Sequence, residues 1–273
     1  MASEKLKVKS NLLRNKRGGK NLQSLKDIFK TDLKIEKDGE YIDFLKCTLK
    51  KYGFNLEDQQ ILDLIIFLKF LLEENEKYNL TSIKKFEEMI YKHIIDSLLM
   101  LKVVEFKSSF SFLDIGTGAG FPSTPIAIAK KDVKVTQLDS SKKKVEFLKQ
   151  VNKMLSLKTI SLNERAENLA KKEEYREKFN IVTARAVAKL NILSELCLPF
   201  VEVGGFFVAL KGPEYLEDLE LAKKSINILG GKVEKVESFE IEENKRNIIV
   251  IKKISHSSTK YPRSFSKISK NSL

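Results

Sequence analysis

The chain has 273 residues, is 42% hydrophobic and carries a formal net charge of +13, from 50 Lys and Arg against 37 Asp and Glu. This length and composition predict one large α/β domain with an extension. The longest apolar stretch, 61–72, contains Asp63 and Lys69, and it is shorter than the roughly 20 residues that a membrane span needs. No apolar segment of a signal peptide follows the basic N-terminus, so we predict a cytoplasmic protein.

The excess positive charge lies at the two ends of the chain. Residues 1–30 hold nine Lys and Arg against two acids, and residues 252–273 hold six against none, so the remainder is neutral. Such ends are typical of solubility tails, and equally of arms that contact nucleic-acid phosphates. Tyr261 and Phe265 lie among the C-terminal cations, which favours stacking on bases as well.

The cysteines and histidines predict no metal site. Cys47 and Cys197 lie in apolar, helical surroundings, which predicts buried free thiols in a reducing compartment. His93 and His256 are far apart in sequence and have no cysteine or carboxylate cluster around them. A zinc site is therefore not expected.

The N-terminal part of the chain changes from polar to helical character. Residues 1–37 are polar and basic, and we expect a flexible arm. Residues 38–107 show apolar repeats at helical spacing and predict a helical cap. Its predicted helices are 41–52, 56–78 and 81–104, the first of them closed by Gly53.

From residue 110 the sequence alternates between strands and helices. The predicted strands are 110–115, 133–138, 158–162, 179–184, 204–210, 232–239 and 246–252. The predicted helices are 122–130, 141–155, 165–171, 188–199 and 214–229. This alternation predicts a parallel sheet covered on both faces, and the last two strands, which no helix separates, are expected to pair antiparallel. We assign 108–254 to this domain and 255–273 to a basic C-terminal tail.

A glycine-rich turn after the first strand is the strongest functional signal. Asp114, Gly116, Gly118 and Gly120 form Asp-x-Gly-x-Gly-x-Gly; glycines allow a backbone to approach a ligand closely, and the acid favours a cationic nucleoside over a pyrophosphate. The third glycine is one position too early for the dinucleotide fingerprint. Asp139, at the end of the second strand, is placed to bind a ribose diol. A simple tight turn, and a helix N-cap at Asp139, stay open as alternatives.

Five segments together resemble one family, the bacterial 16S ribosomal RNA guanine-N7 methyltransferases, also called the glucose-inhibited division protein B family. They are Tyr78-Asn-Leu-Thr-Ser82, His93-Ile-Ile-Asp-Ser97, Phe112-Leu-Asp-Ile-Gly-Thr-Gly-Ala-Gly-Phe-Pro122, Thr183-Ala-Arg-Ala-Val187 and Ala209-Leu-Lys-Gly212, and Tyr261-Pro-Arg263 matches the tail of many members. The resemblance implies a seven-strand, Rossmann-like sheet with an N-terminal helical cap. It also implies methyl transfer from S-adenosyl-L-methionine to a guanine N7 in 16S ribosomal RNA of the small subunit. Nothing in the sequence demands more than a monomer.

The resemblance also implies which residues hold the cofactor. They are Asp114, Gly116, Gly118, Gly120, Phe121, Asp139 for the ribose, Ala166 and Glu167 for the adenine edge, and Arg185. The chain departs from the family where Ala119 replaces a usual proline and Ser123-Thr124 replaces a usual Gly-Ile. These departures put the rigidity of the loop in question more than its ability to bind.

Arg185 and Lys211 are the candidates for orienting the guanine or contacting RNA, because arginine forks onto O6 or phosphate. Alternatively, Arg185 forms an ion pair with an acid of the helical cap, and Lys211 is an ordinary strand-end lysine. Three further groups have plain structural interpretations. Asn79 and Asp96 fit helix caps, and His93 fits packing rather than catalysis. The run Lys142-Lys-Lys144 fits a solvated helix face, with contact to RNA as the alternative.

Three other functions fit parts of the sequence. A methyltransferase of the same fold could act on a small molecule or a protein, but the basic ends disfavour it. A non-enzymatic RNA-binding module is disfavoured by the complete glycine and aspartate set. A nicotinamide-dependent oxidoreductase is disfavoured by the early third glycine and by the lack of a Tyr-x-x-x-Lys motif.

Overall fold

A computed structural model describes residues 35–185 and 188–273, with side chains from residue 39 onward. The predicted arm 1–37 lies outside the described residues except for its last three positions, which already belong to a helix. The chain forms two compact units that divide at Ile65 and Ile66. The domain scheme with a cap over 38–107 stays a prediction.

Helices and strands follow one another in nearly the predicted order. The helices are α1 (Ile35–Lys51), α2 (Asp58–Tyr78), α3 (Phe86–Met89), α4 (Asp96–Leu98), α5 (Met100–Val103), α6 (Ser123–Ala129), α7 (Lys142–Met154), α8 (Ala166–Leu169), α9 (Leu190–Cys197), α10 (Tyr215–Ile228) and α11 (Phe265–Lys270), with a π-helical segment at Ile90–Ile95 and a 3₁₀ turn at Leu198–Phe200. The strands are β1 (Ser111–Ile115), β2 (Lys134–Asp139), β3 (Ile160–Asn163), β4 (Phe179–Arg185), β5 (Val201–Lys211), β6 (Gly231–Ile241) and β7 (Asn244–Lys253). All seven predicted strands are confirmed, with ends shifted by a few residues.

The seven strands form one sheet in the order β3-β2-β1-β4-β5-β7-β6. The first five run parallel, whereas β7 pairs antiparallel with both β5 and β6, as the missing helix between the last two strands predicts. Ile115 at the end of β1 lies beside Leu138 of β2 and Ala184 of β4. The carboxyl ends of these strands therefore meet at one edge, where ligands bind in open α/β sheets.

Short-range hydrogen bonds explain where the first two helices begin and end. Gly53, at φ +72°, follows α1 and donates to the Lys50 carbonyl, as expected for a glycine that terminates a helix. Before α2, the Glu57 amide donates to the side chain of Gln60, which is half of a capping box. Asn79, at φ +50°, stands directly after α2. The interpretation of Asn79 as a helix cap is thus confirmed at the C-terminal end.

The third predicted helix, 81–104, is wrong in two respects. It begins at Phe86, because the Asn75 side chain pairs with both backbone groups of Thr81 and holds the preceding segment in a turn. It also widens into the π-helical segment Ile90–Ile95. Single π-turns inside α-helices are frequent at functional sites, and this one carries His93.

Apolar side chains fill the interior on both sides of the sheet. Fully buried residues come from β1, β4, β5 and β7 and from helices α7, α9 and α10. Cys197 lies in this core, and burial raises the pKa of its thiol well above the usual range. Cys47 is exposed, so the prediction that both thiols are buried is wrong for Cys47: its helix turns that position towards solvent while Leu45 and Leu49 are buried.

The C-terminal segment is packed against the sheet domain rather than extended. Tyr261 is 6% exposed and Ile268 fully buried, so the prediction that Tyr261 stacks on bases is wrong. Arg263 forms a bidentate ion pair with Glu195, whose side chain is fully buried. Arg176 donates to the carbonyls of Ala170, Ser257, Ser258 and Tyr261. A membrane-spanning helix is absent from the described ranges 35–185 and 188–273.

Candidate active site

The glycine loop after β1 adopts the backbone conformation that its sequence predicts. Gly116, Gly118 and Gly120 have φ values of +68°, +60° and +97°, which is the region that side chains other than glycine rarely adopt. A Cβ at Gly118 would meet only the Gly116 carbonyl, at 3.9 Å, whereas a Cβ at Gly120 would lie 2.5 Å from Thr124 Oγ1. Gly118 therefore faces open space that a ligand can enter, and Gly120 allows α6 to pack closely.

Asp114 is fully buried directly behind this loop. Its Oδ2 accepts the Ser123 amide at 3.2 Å, while its Oδ1 has no hydrogen-bond partner. Burial raises the pKa of Asp114 to about 6, and hydrogen bonds from Thr117 and Ser123 and the charge of Arg185 limit that rise. A buried carboxylate with one oxygen left unpaired favours a cation nearby.

Asp139 links the end of β2 to the glycine loop. Its Oδ2 accepts the Gly118 amide at 3.0 Å, and its Oδ1 accepts the Ser141 amide at 2.8 Å, just before α7. The interpretation of Asp139 as a helix N-cap is wrong, because Ser141 is the N-cap residue of α7 and Asp139 accepts the amide of that residue. Each carboxylate oxygen can accept more than one hydrogen bond, so Asp139 can still accept ribose hydroxyls. Lys144 Nζ is 3.9 Å from Oδ2, while Lys142 and Lys143 are exposed.

A buried polar network supports the loop from below. The Gln137 side-chain amide donates to Ser123 Oγ at 3.1 Å and to Thr124 Oγ1 at 3.0 Å. Ser123 Oγ also lies 2.7 Å from Thr117 Oγ1. Ser123 and Thr124, at the positions where the sequence departs from the family, therefore form hydrogen bonds under the loop.

The other predicted cofactor residues lie along the same edge. Ala166 and Glu167 begin α8, one strand away from Asp139, and both are less than 10% exposed. Asp139 pairs in register with Asn163, whose side chain donates to the Asp139 carbonyl at 3.1 Å. The predicted adenine and ribose residues are therefore neighbours at the ends of β3 and β2.

An aromatic stack joins the loop to the π-helical segment. The Phe121 ring stacks on the His93 imidazole with centroids 4.2 Å apart, and the Arg185 guanidinium carbon lies 5.4 Å from the Phe121 centroid. Arg185 Nη2 donates to His93 Nδ1 at 3.1 Å. Burial, together with the positive charge of Arg185, lowers the pKa of His93 to about 3. His93 is therefore a neutral packing group, as predicted.

Asp96 is shared by two arginines. Its Oδ2 lies 2.9 Å from Arg185 Nη1, and its Oδ1 lies 3.2 Å from Arg246 Nε. Asp96 is therefore not a helix cap, contrary to the prediction, because it lies within a continuous helical run and its carboxylate faces these cations. The alternative for Arg185, an ion pair with an acid of the predicted cap, is confirmed.

Lys211 completes a cation-rich cleft at the ends of β4 and β5. Its Nζ lies 2.6 Å from Asp218 Oδ2 and donates to the Ala188 carbonyl at 3.1 Å. The cleft has a volume of about 400 Å³. Its described lining includes Lys92, His93, Asp96, Arg185, Lys211 and Arg246. We call it the main cleft.

Comparisons with known proteins identify the family of this chain. The model of the rRNA small subunit methyltransferase G family matches residues 60–249. The chain is 42% identical to the ribosomal RNA small subunit methyltransferase G of Clostridium kluyveri, over 86% of this chain and 99% of that protein. The chain belongs to this family. It is 45% identical to the Clostridium beijerinckii member over the same shares of both chains.

The α/β sheet is accordingly the Rossmann-like methyltransferase fold of the family. A solved structure similar to this chain is the YcgJ protein of Bacillus subtilis, with a TM-score of 0.48, 14% identity, and coverage of 60% of this chain and all of that one. Within the described residues no cluster of His, Cys, Asp and Glu is arranged to hold a metal ion.

The structure brings one residue into the site that sequence reasoning missed. Arg246 lies near the start of β7, and because β7 runs antiparallel, this start lies beside the carboxyl end of β5, with Asn247 opposite Lys211. In the sequence, Arg246 is the first residue of the predicted strand 246–252, directly after Lys245 and a polar turn. The signal that was available is Asp96, an acid inside an apolar helical run, which requires a buried counter-charge.

Proposed function

We propose that this member of the methyltransferase G family transfers a methyl group from S-adenosyl-L-methionine to N7 of a guanine in 16S ribosomal RNA of the small subunit. One observation carries the proposal: an open glycine loop and a ribose-type carboxylate lie at the same sheet edge as a cleft rich in Lys and Arg. The family supplies the substrate class, and the proposed compartment, the cytoplasm, is that of the ribosome. We propose a monomer.

The glycine loop and the strand ends fit the cofactor. The open face of Gly118 and the backbone of Gly116 and Phe121 would hold its amino-acid part. Asp139 would accept the ribose hydroxyls, and Ala166 and Glu167 would border the adenine. When bound, S-adenosyl-L-methionine supplies a methyl group on a cationic sulfur. The unpaired Oδ1 of Asp114 supplies negative charge behind the loop, where a cation is stabilised.

Guanine N7 carries an in-plane lone pair and no proton, so the transfer needs no general base. A His93 whose pKa is lowered to about 3 is consistent with this, because it stays neutral at physiological pH. What the chain must do is position the reacting atoms, which can contribute ~7–11 kcal/mol to lowering the barrier. Arg185 and Lys211, both held by carboxylates, would orient the guanine through O6 or phosphate.

We assign methyl transfer to 108–254 and RNA recognition to the helical segment 38–107 together with the basic arm 1–37. The C-terminal tail contributes less to RNA binding than its charge suggests. One of the four cations of 255–273, Arg263, is paired with the buried Glu195. Of the tail's cations, Lys260, Lys267 and Lys270 are exposed and remain candidates for phosphate contact.

The decisive experiment measures methyl transfer from labelled S-adenosyl-L-methionine to purified 30S subunits that lack N7 methylation, with the product nucleoside identified. We expect N7-methylguanosine at a single site. Cofactor binding without methyl transfer would support the methyltransferase fold and indicate a different substrate. Neither binding nor transfer would favour an RNA-binding module without a cofactor.

A further inference from the structure

A second, smaller cleft adjoins the main cleft. It has a volume of about 200 Å³. It lies between the helical run 86–95, which consists of α3 and the π-helical segment, and the hairpin turn that joins β6 to β7. Its lining is formed by Glu88, Tyr91, Lys92, Ile241, Glu242, Asn244 and Arg246. Lys92 and Arg246 also line the main cleft. We call this space the side cleft.

The two clefts differ in charge. The described lining of the main cleft holds four cations and one acid, Asp96. The side cleft has two acids, Glu88 and Glu242, against the two shared cations. A strongly cationic cleft suits phosphate, whereas a neutral cleft with both donors and acceptors suits the edge of a base.

The shared cations stand where the two clefts meet. Lys92 Nζ lies 3.1 Å from Glu88 Oε2, and its side chain is 43% exposed. Arg246 Nε lies 3.2 Å from Asp96 Oδ1, and its side chain is 25% exposed. Both acids, Glu88 and Asp96, belong to one continuous helical run, and each holds one of the two cations. The side chain of each cation stays partly exposed to solvent. Two cations shared by both clefts favour a phosphate that joins one nucleotide to the next.

We infer that the side cleft holds the base of a nucleotide directly adjacent to the target guanine, and that it selects a base with an exocyclic amino group. This inference rests on the proposed function. Single-stranded RNA bases are commonly read by stacking on aromatic rings and by hydrogen bonds to their edges. Tyr91 contributes an aromatic ring to the wall, and the Glu88 carboxylate can only accept hydrogen bonds when it is ionised.

The acids explain the direction of the selectivity. Adenine, cytosine and guanine each carry an amino group that can donate to a carboxylate. Uracil has no amino group and presents carbonyl oxygens at the equivalent positions. Its one edge donor, N3–H, lies between these oxygens, so the carboxylates of Glu88 and Glu242 would be repelled by the flanking carbonyls. Uridine is therefore the disfavoured neighbour.

The test uses the full-length protein and 30S subunits in which each neighbour of the methylated guanine is replaced, one at a time, by uridine. For the unaltered protein, we expect kcat/KM to fall about tenfold for one of the two replacements. For Glu88→Gln, whose amide can both donate and accept, that penalty should shrink to about twofold. Glu87→Gln, exposed on the same helix and outside the cleft, is the matched control and should keep the full penalty.

Comparing protein variants on the same subunits separates recognition from any damage that uridine does to the RNA. The inference is overturned if the unaltered protein tolerates uridine on both sides, if the natural neighbours are both uridine, or if Glu88→Gln keeps the full penalty. Failure of the proposed function would be different, because then unaltered subunits would receive no methyl group at all.

Discussion

At the residue scale, Asp139 has the clearest separable role. Asp139→Ala removes a carboxylate that accepts two backbone amides and, in our proposal, the ribose hydroxyls. We expect the Kd for S-adenosyl-L-methionine to rise ten- to a hundredfold, because hydrogen bonds to a charged group are worth about 1.5–3 kcal/mol. Calorimetric titration checks this. The exposed acid Asp132 supplies the control, since Asp132→Ala should bind normally. Unchanged affinity in Asp139→Ala would remove this residue from the site.

Asp114 predicts a pH dependence of cofactor affinity. The pKa of Asp114 is about 6 in the folded chain, above the usual 3.8. Between these two pH values the folded chain binds the proton more tightly than the unfolded chain does, so the contribution of Asp114 to folding stability increases as the pH falls. A bound cation favours the ionised form instead. We expect the Kd for S-adenosyl-L-methionine to be constant above about pH 7 and to rise below pH 6, by at most about tenfold per pH unit.

Titrations at several pH values check this prediction, with Asp114→Asn as the comparison. The amide cannot ionise, so its binding should be weaker at pH 7 and flat across the range. A thermal melt of the variant confirms that it folds. A pH dependence that persists unchanged in Asp114→Asn would assign the effect to another group.

At the element scale, two glycines of the loop look alike in sequence but differ in how much room the structure leaves for a side chain. At Gly118 a methyl group meets open space, so Gly118→Ala should cost only the strain of positive φ, about 1–2 kcal/mol. At Gly120 it would also collide with Thr124 and Leu148, which adds about 1–3 kcal/mol.

Denaturant unfolding and cofactor titration separate the two effects. We expect Gly118→Ala to remain folded and to lose cofactor affinity, because the added methyl group enters the space proposed for the ligand. We expect Gly120→Ala to be the less stable variant. If Gly118→Ala binds the cofactor normally, the proposed ligand space is not at this glycine.

The packed C-terminal segment depends on Arg176. Arg176→Ala removes donors to four carbonyls, three of which belong to the C-terminal residues Ser257, Ser258 and Tyr261. We expect the free energy of unfolding to fall by about 2–4 kcal/mol and limited proteolysis to cut the segment first. The exposed residue Lys171 supplies the control, since Lys171→Ala should change stability by less than about 0.5 kcal/mol. Equal protease resistance of both variants would show that other contacts hold the segment.

At the scale of the whole molecule, the charge of the N-terminal arm predicts salt-dependent RNA affinity. Deleting residues 1–34, which end where α1 begins, removes ten Lys and Arg. We expect weaker binding to 30S subunits and unchanged affinity for the cofactor. The slope of log affinity against log salt concentration should become shallower by about 0.7 for each phosphate contact that is lost. Replacing the ten cations with glutamine should reproduce the deletion. Equal salt slopes for the intact and shortened chains would leave the arm a solubility tail.

Patterns that repeat along the chain were predictable from sequence, and contacts between distant residues were not. The seven strands are short apolar runs separated by turn residues, so each is visible in isolation. The buried pairs are different: Arg263 meets Glu195 across 68 positions, and Asp96 meets Arg246 through the antiparallel return of β7. The π-turn at Ile90–Ile95 leaves no periodic signal, because one extra residue in one turn is lost among helical repeats.

The position of β7 in the sheet has a consequence during protein synthesis. β7 inserts between β5 and β6, so β6 has no neighbour until residues 244–253 have been made. The ribosome synthesises the chain from its N-terminus, and a nascent chain that ends before β7 keeps an unpaired edge on the long strand β5. Open strand edges pair readily with other chains. Stalling in this interval would yield a nascent chain prone to aggregation. Once the 10 residues of β7 have been made, β7 pairs with both β5 and β6.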